Sequence, residues 1–113
     1  MTFDEYQAQA LRTANPNLDL WYALAKMCSE SGEALQLLCK DAYHKKRYAD
    51  DDMISELGDV LWHIALAAKE LGYSMDDIAA ANIAKLRKRH GDSYNAAHYQ
   101  PLIDNRNVED RDE

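Results

Sequence analysis

Two carboxylate pairs at matched spacing are the residues of this 113-residue chain best suited to chemistry. Glu30 and Glu33 lie in the phrase Ser29-Glu-Ser-Gly-Glu-Ala-Leu-Gln-Leu-Leu38, and Glu56 and Asp59 in Ser55-Glu-Leu-Gly-Asp-Val-Leu-Trp-His-Ile64, 26 positions later. Both read Ser-Glu-x-Gly-acid-apolar-Leu. Acids three residues apart share one side of a helix, so each phrase is predicted to present two carboxylates together. Four such groups brought to one cleft repel, and partial burial weakens the screening between them. A hard divalent cation answers that repulsion, and Mg²⁺ takes carboxylate oxygen and water, with Mn²⁺ as a substitute. The predicted ligands are Glu30, Glu33, Glu56 and Asp59.

The acids need helices to hold them, and the apolar pattern around each phrase supplies a helical period. At 100° per residue, Leu24, Leu35 and Leu38 centre one stripe, flanked by Lys26, Glu30 and Glu33. Ile54, Leu57, Leu61, Ile64 and Ala68 form the second, with Glu56, Asp59 and His63 beside it. The two stripes are expected to pack face to face and so bring their acidic flanks to one cleft. Gly32 and Gly58 sit inside these helices, where glycine costs roughly 1 kcal/mol against alanine. Close helix approach, or room for a ligand on that turn, is the expected reason for them.

Glu30-x-x-Glu33, a gap of 22 residues and then Glu56-x-x-Asp59 resembles the signature of the all-α nucleoside triphosphate pyrophosphohydrolases, the MazG-like group related to dimeric dUTPases and phosphoribosyl-ATP pyrophosphohydrolases. Leu57-Gly-Asp-Val-Leu-Trp62 and Ala81-Asn-Ile-Ala-Lys-Leu-Arg-Lys-Arg89 resemble that group's third and fourth helix segments, so the likeness spans roughly residues 18 to 90. One departure is Ser29, where many relatives carry a further acid, which leaves the number of metal ions open.

The resemblance implies an Mg²⁺-dependent enzyme that cleaves a nucleoside triphosphate or its deoxy form to the monophosphate and pyrophosphate. The alternatives it leaves are a related enzyme acting on phosphoribosyl-ATP or on dUTP or dCTP, and a non-catalytic nucleotide-binding helical oligomer. Glu33 or Glu56 would orient or deprotonate the attacking water. Lys85, with Lys26 or Arg89, would stabilise the departing phosphates, and Asn82 would hydrogen-bond substrate. Asn82 and Lys85 match the family's Asn-x-x-Lys. Arg87, Lys88 and Arg89 are equally well explained as cations at a helix C-terminus. A ferritin-like di-iron bundle would need Glu-x-x-His pairs, and the chain has none.

Around this site the sequence reads as helices alone, giving an all-α fold of four to five bundled helices. Thr2-Phe-Asp-Glu5 is a capping box for a first helix to about Ala14, and Asn15-Pro-Asn17 breaks it. A second helix is predicted from about Leu18 to Tyr43, and a third from the acidic Asp50-Asp-Asp52 to about Leu71, stopped by Gly72. Ser74-Met-Asp-Asp77 caps a fourth, ending near His90-Gly91. Residues 1–103 are expected to form one domain and residues 104–113 an acidic tail.

The net charge is −7, of which the tail carries −3, leaving −4 elsewhere. With no broad basic face, the chain is a poor partner for duplex nucleic acid. No signal core or membrane-length apolar run appears, and Cys28 and Cys39 form no close pair, so a cytoplasmic protein with reduced thiols is expected. Trp21, Tyr22, Ala25, Cys39 and Tyr43 cover the far side of the second helix, and Trp62 the back of the third. A helix apolar nearly all round needs a neighbour all round, which predicts a homodimer or homotetramer. His63 reads as a hydrogen-bonded residue at the core margin, and the loop Lys45-Lys46-Arg47 as solvated or as a collector of triphosphate. Tyr94 and Tyr99 could close over a base or simply pack against the bundle.

Overall fold

The computed structural model describes residues 1–94. Among them are four α-helices and one 3₁₀ turn: α1 (Phe3–Ala10), the turn Leu11–Thr13, α2 (Leu20–His44), α3 (Asp50–Leu71) and α4 (Met75–His90), with no strand. The predicted tail, His98 and Tyr99 lie outside the described residues. The chain divides between Ala79 and Ala80, within α4, so a first unit holds α1 to the start of α4 and a second begins at Ala80.

Each helix end follows from its local chemistry. Thr2 accepts from the Glu5 amide at 3.0 Å while Glu5 Oε1 accepts from the Thr2 amide at 2.8 Å, the reciprocal pair expected of a capping box. Asp19 caps α2 by accepting from the Tyr22 amide at 2.9 Å. Asp52 accepts from the Ala49 amide at 3.1 Å at the head of α3, where Asp50, Asp51 and Asp52 meet the positive end of the helix dipole. Gly72, at φ 86°, ends α3 in a left-handed turn that a side chain would disfavour. Ser74 and Asp77 then exchange amide-to-side-chain bonds of 3.1 Å to start α4.

In the first unit, α2 and α3 form an antiparallel hairpin, and its core is made of small residues. Ala23, Leu66 and Ala67 are buried at the seam, with Leu20, Met27 and Trp62 packed around them. Alanines let the two backbones come close, so the seam itself is narrow. A second cluster, Ala65, Ala68 and Met75, lies against Tyr6 and Leu11, which brings α1 onto α3. Gln7 fastens this corner: its Nε2 donates to the Ala65 carbonyl at 3.1 Å and the Tyr73 carbonyl at 3.3 Å, and its Oε1 accepts from the Met75 amide at 3.1 Å.

Three expectations are corrected. Leu24, Leu35 and Leu38 do not centre the seam; they are 51%, 59% and 48% exposed, as Ile54 and Leu57 are 63% and 54%. The contact is rotated toward Ala23, Met27 and Glu30 on α2, because alanine and methionine permit the close approach that a leucine row would hold apart. Gly32 and Gly58 are not sites of close approach among the described residues, since a Cβ at either would meet nothing of them within 4 Å. Trp62 is not on the back of α3: it is half-buried against the seam core and donates its Nε1 to the Ala10 carbonyl at 3.0 Å.

Candidate metal and catalytic site

The acidic residues stand on the same seam as the core, nearer the α2–α3 connection. With the contact rotated away from the leucines, Glu30 and Glu56 border the seam and are half-buried, while Glu33 and Asp59 are exposed. One carboxylate oxygen each from Glu30, Glu56 and Asp59 can be chosen so that all three lie within 4.8 Å of one another. Glu30 and Glu56 are half-buried and Asp59 is exposed, which leaves one side of the trio open to a ligand. Two helices therefore contribute to a single group of oxygens.

Charge crowding is visible in Glu56, whose carboxyl is raised above its ordinary value by desolvation first, then by the charges of Glu33, Asp59, Glu30 and Asp52. Glu33 is exposed and stands outside the close trio, yet among the neighbouring carboxylates its charge bears most on Glu56. Asp52 was absent from the predicted set, and only its place on α3 one turn before Glu56 could have signalled it. The field extends to α1, where the Tyr6 phenol is raised by burial and then by the charge of Asp59.

Lys26 supplies the cation at this edge, its Nζ 3.5 Å from Glu30 Oε2 one turn along α2. His63 is buried on the seam, one turn beyond Asp59. Its Nδ1 lies 2.8 Å from the Asp59 carbonyl, and since a carbonyl only accepts, Nδ1 carries the proton. The ring also meets Trp62 edge-on at 4.9 Å and Tyr22 at 5.9 Å. These contacts account for His63 as a packed and hydrogen-bonded residue, and it is not in the carboxylate trio.

The other predicted residues lie on α4 beyond Ala80, in the second unit: Asn82 and Lys85 are exposed there and Arg89 is half-buried. In the α2–α3 connection, Arg47 pairs with Asp41 at 3.5 Å. Cys28 and Cys39 are free, Cys28 exposed and Cys39 half-buried. No helix among the described residues is long and apolar enough to cross a membrane.

Residues 22–93 match the family model of the MazG nucleotide pyrophosphohydrolase domain, a span that takes in both acid pairs and α4. The chain belongs to the MazG family. No curated protein and no solved structure gives a significant match. As a MazG nucleotide pyrophosphohydrolase it is a hydrolase acting on phosphoric anhydrides, and the acidic trio lies within the MazG segment while α1 precedes it.

Proposed function

We propose that this MazG domain hydrolyses nucleoside triphosphates or their deoxy forms to the monophosphate and pyrophosphate, with Mg²⁺ held by Glu30, Glu56 and Asp59 and flanked by Glu33. The observation that carries this reading is the convergence of three carboxylate oxygens from two helices within 4.8 Å. The residues fit a hard divalent ion: the trio offers oxygen donors only, one side is open, and the crowding that raises Glu56 is what a bound cation would relieve. Mn²⁺ is compatible with the same donor set.

When bound, the ion supplies charge neutralisation at the phosphoryl oxygens and a template for in-line attack. The chain's residues do the rest. A water oxygen attacks the α-phosphorus, the bond from that phosphorus to the α,β-bridging oxygen breaks, and the water proton passes to a carboxylate. Glu33 suits that base role better than Glu56, because it stands beside the trio while Glu56 belongs to it. Lys26, already at the edge of the site, supports the charge of the departing pyrophosphate. Asn82 and Lys85 are assigned to substrate on the Asn-x-x-Lys match, Asn82 as a hydrogen-bonding group and Lys85 as a cation, and Arg89 on its place in the same stripe of α4. The base and sugar are selected by contacts that the carboxylates do not make, so phosphoribosyl-ATP, dUTP and dCTP belong in the substrate panel.

The test is release of pyrophosphate from a panel of ribo- and deoxynucleoside triphosphates with Mg²⁺. Wild type releases it and Glu56→Gln does not. The reading fails if no member of the panel yields pyrophosphate, or if Glu56→Gln is fully active.

We also propose that a second copy of the chain covers the leucine face. Leu24, Leu35, Leu38, Ile54 and Leu57 are each about half exposed or more, and covering what remains of one such side chain contributes roughly 1 kcal/mol. An apolar groove of about 320 Å³ lined by Leu20, Trp21, Leu24 and Ala25 adjoins them. The expected state is a homodimer or homotetramer, and Leu35→Glu reduces the mass seen by light scattering to that of the monomer. Free thiols at Cys28 and Cys39 suit a reducing cytoplasm, where the substrates are found.

A further inference from the structure

The aromatic corner beside the carboxylates has no part in the hydrolytic steps above. Its layers are fixed from the inside outward. The Ala10 carbonyl holds the indole of Trp62, Trp62 meets His63 edge-on at 4.9 Å, and His63 is tied through Nδ1 to the Asp59 carbonyl. Tyr22 lies over His63 at 5.9 Å with the rings inclined by 47°, and it is the outermost layer, 38% exposed. A partly exposed ring held against a packed aromatic neighbour offers a stacking surface whose ordering has been met before a ligand arrives.

Its place in the row of residues on α2 gives that surface a meaning. Tyr22, Lys26 and Glu30 follow one another at i, i+4 and i+8, so an aromatic ring, a cation and a metal-type carboxylate succeed each other along one edge of the helix. From Tyr22 to Glu30 the helix advances about 12 Å. A nucleotide has the same order of parts: a flat base, a chain of phosphates, and the divalent ion they carry.

We infer that Tyr22 is the residue on which the substrate's base stacks, with the triphosphate reaching the edge of the carboxylate trio where Lys26 and Glu30 meet. This inference rests on the reading of that trio as the phosphate end of the site. Stacking accepts any base, since every base has a π-face, so Tyr22 supplies grip common to all nucleotides and leaves the choice among them to polar contacts.

The experiment is calorimetric binding with Mg²⁺, using two probes that resist cleavage: an α,β-methylene nucleoside triphosphate, and the corresponding methylene triphosphate lacking base and sugar. Tyr22→Leu and Tyr22→Met keep helix propensity and apolar bulk but remove the ring, and Tyr22→Phe keeps it. We expect both non-aromatic variants to weaken the nucleotide probe roughly ten- to hundredfold and to leave the base-free probe unchanged, with Phe close to wild type. Equal weakening of both probes, or no weakening of the nucleotide probe, overturns the inference. Failure of the hydrolytic reading is seen separately, as absence of pyrophosphate release by wild type from cleavable nucleotides.

Discussion

Lys26 Nζ stands 3.5 Å from Glu30 Oε2, so the cation offered to phosphate neutralises one of the carboxylates offered to metal. The two uses oppose each other. With the Lys26 side chain 40% exposed, the pair is worth little to stability, roughly 0.2–0.5 kcal/mol. Removing the charge should therefore affect ligands more than folding. Lys26→Gln is expected to tighten Mg²⁺ binding about three- to tenfold, on the order of 1 kcal/mol of relieved repulsion, while raising KM for triphosphate. Calorimetry with Mg²⁺ alone and steady-state kinetics read the two effects, and a loss of metal affinity would contradict the assignment.

Glu56 gives the pH dependence. Its folded pKa is raised, so ionisation costs the metal-free fold stability at neutral pH; the cost fades as pH falls through the folded value and is absent below the unfolded one. Metal-free Glu56→Gln should thus melt above wild type at pH 7, with the gap closing as pH is lowered into the carboxyl range. Saturating Mg²⁺ should stabilise wild type more than the variant. Thermal melts across pH, with and without Mg²⁺, decide it; a metal-free variant less stable than wild type at pH 7 would contradict the charge-crowding account.

Gly32 faces open space within the chain, so Gly32→Ala should stabilise α2 by about 0.5–1 kcal/mol in denaturant unfolding. A loss instead would locate a partner's backbone against that turn.

Gln7 makes three bonds that join α1 to the end of α3 and the start of α4. Gln7→Ala is predicted to cost about 2 kcal/mol, less than three bonds at full value because Gln7 is only half-buried and water can replace part of them. Chemical denaturation measures the cost, and hydrogen exchange at Met75 should accelerate with it.

The helices were legible because their ends are written in local chemistry: the Thr2–Glu5 box, Gly72 after Leu71 and Ser74 before Met75 are short-range signals, whereas the Asp19 cap starts α2 at Leu20, beyond the start near Leu18 that the sequence pattern predicts. The acidic trio was legible from the repeated phrase. The facing of α2 on α3 was not, because hydropathy weights Leu24, Leu35 and Leu38 above Ala23, while packing at a narrow seam favours the small residue. Glu33 was expected among the ligands, and its place beside the trio depends on that same rotation. Tyr22 was read as covering the far side of α2 for one reason: its approach to His63 is a contact between helices, which periodicity within one helix does not encode.

The bond from Trp62 to the Ala10 carbonyl crosses the start of the segment that matches the MazG model. Ala10 lies ahead of that segment, yet its carbonyl holds the indole that meets His63 edge-on. A segment ahead of the matched residues thus reaches the α2–α3 hairpin. A change at Ala10 is expected to act on the aromatic corner through a bond that none of the trio's carboxylates makes.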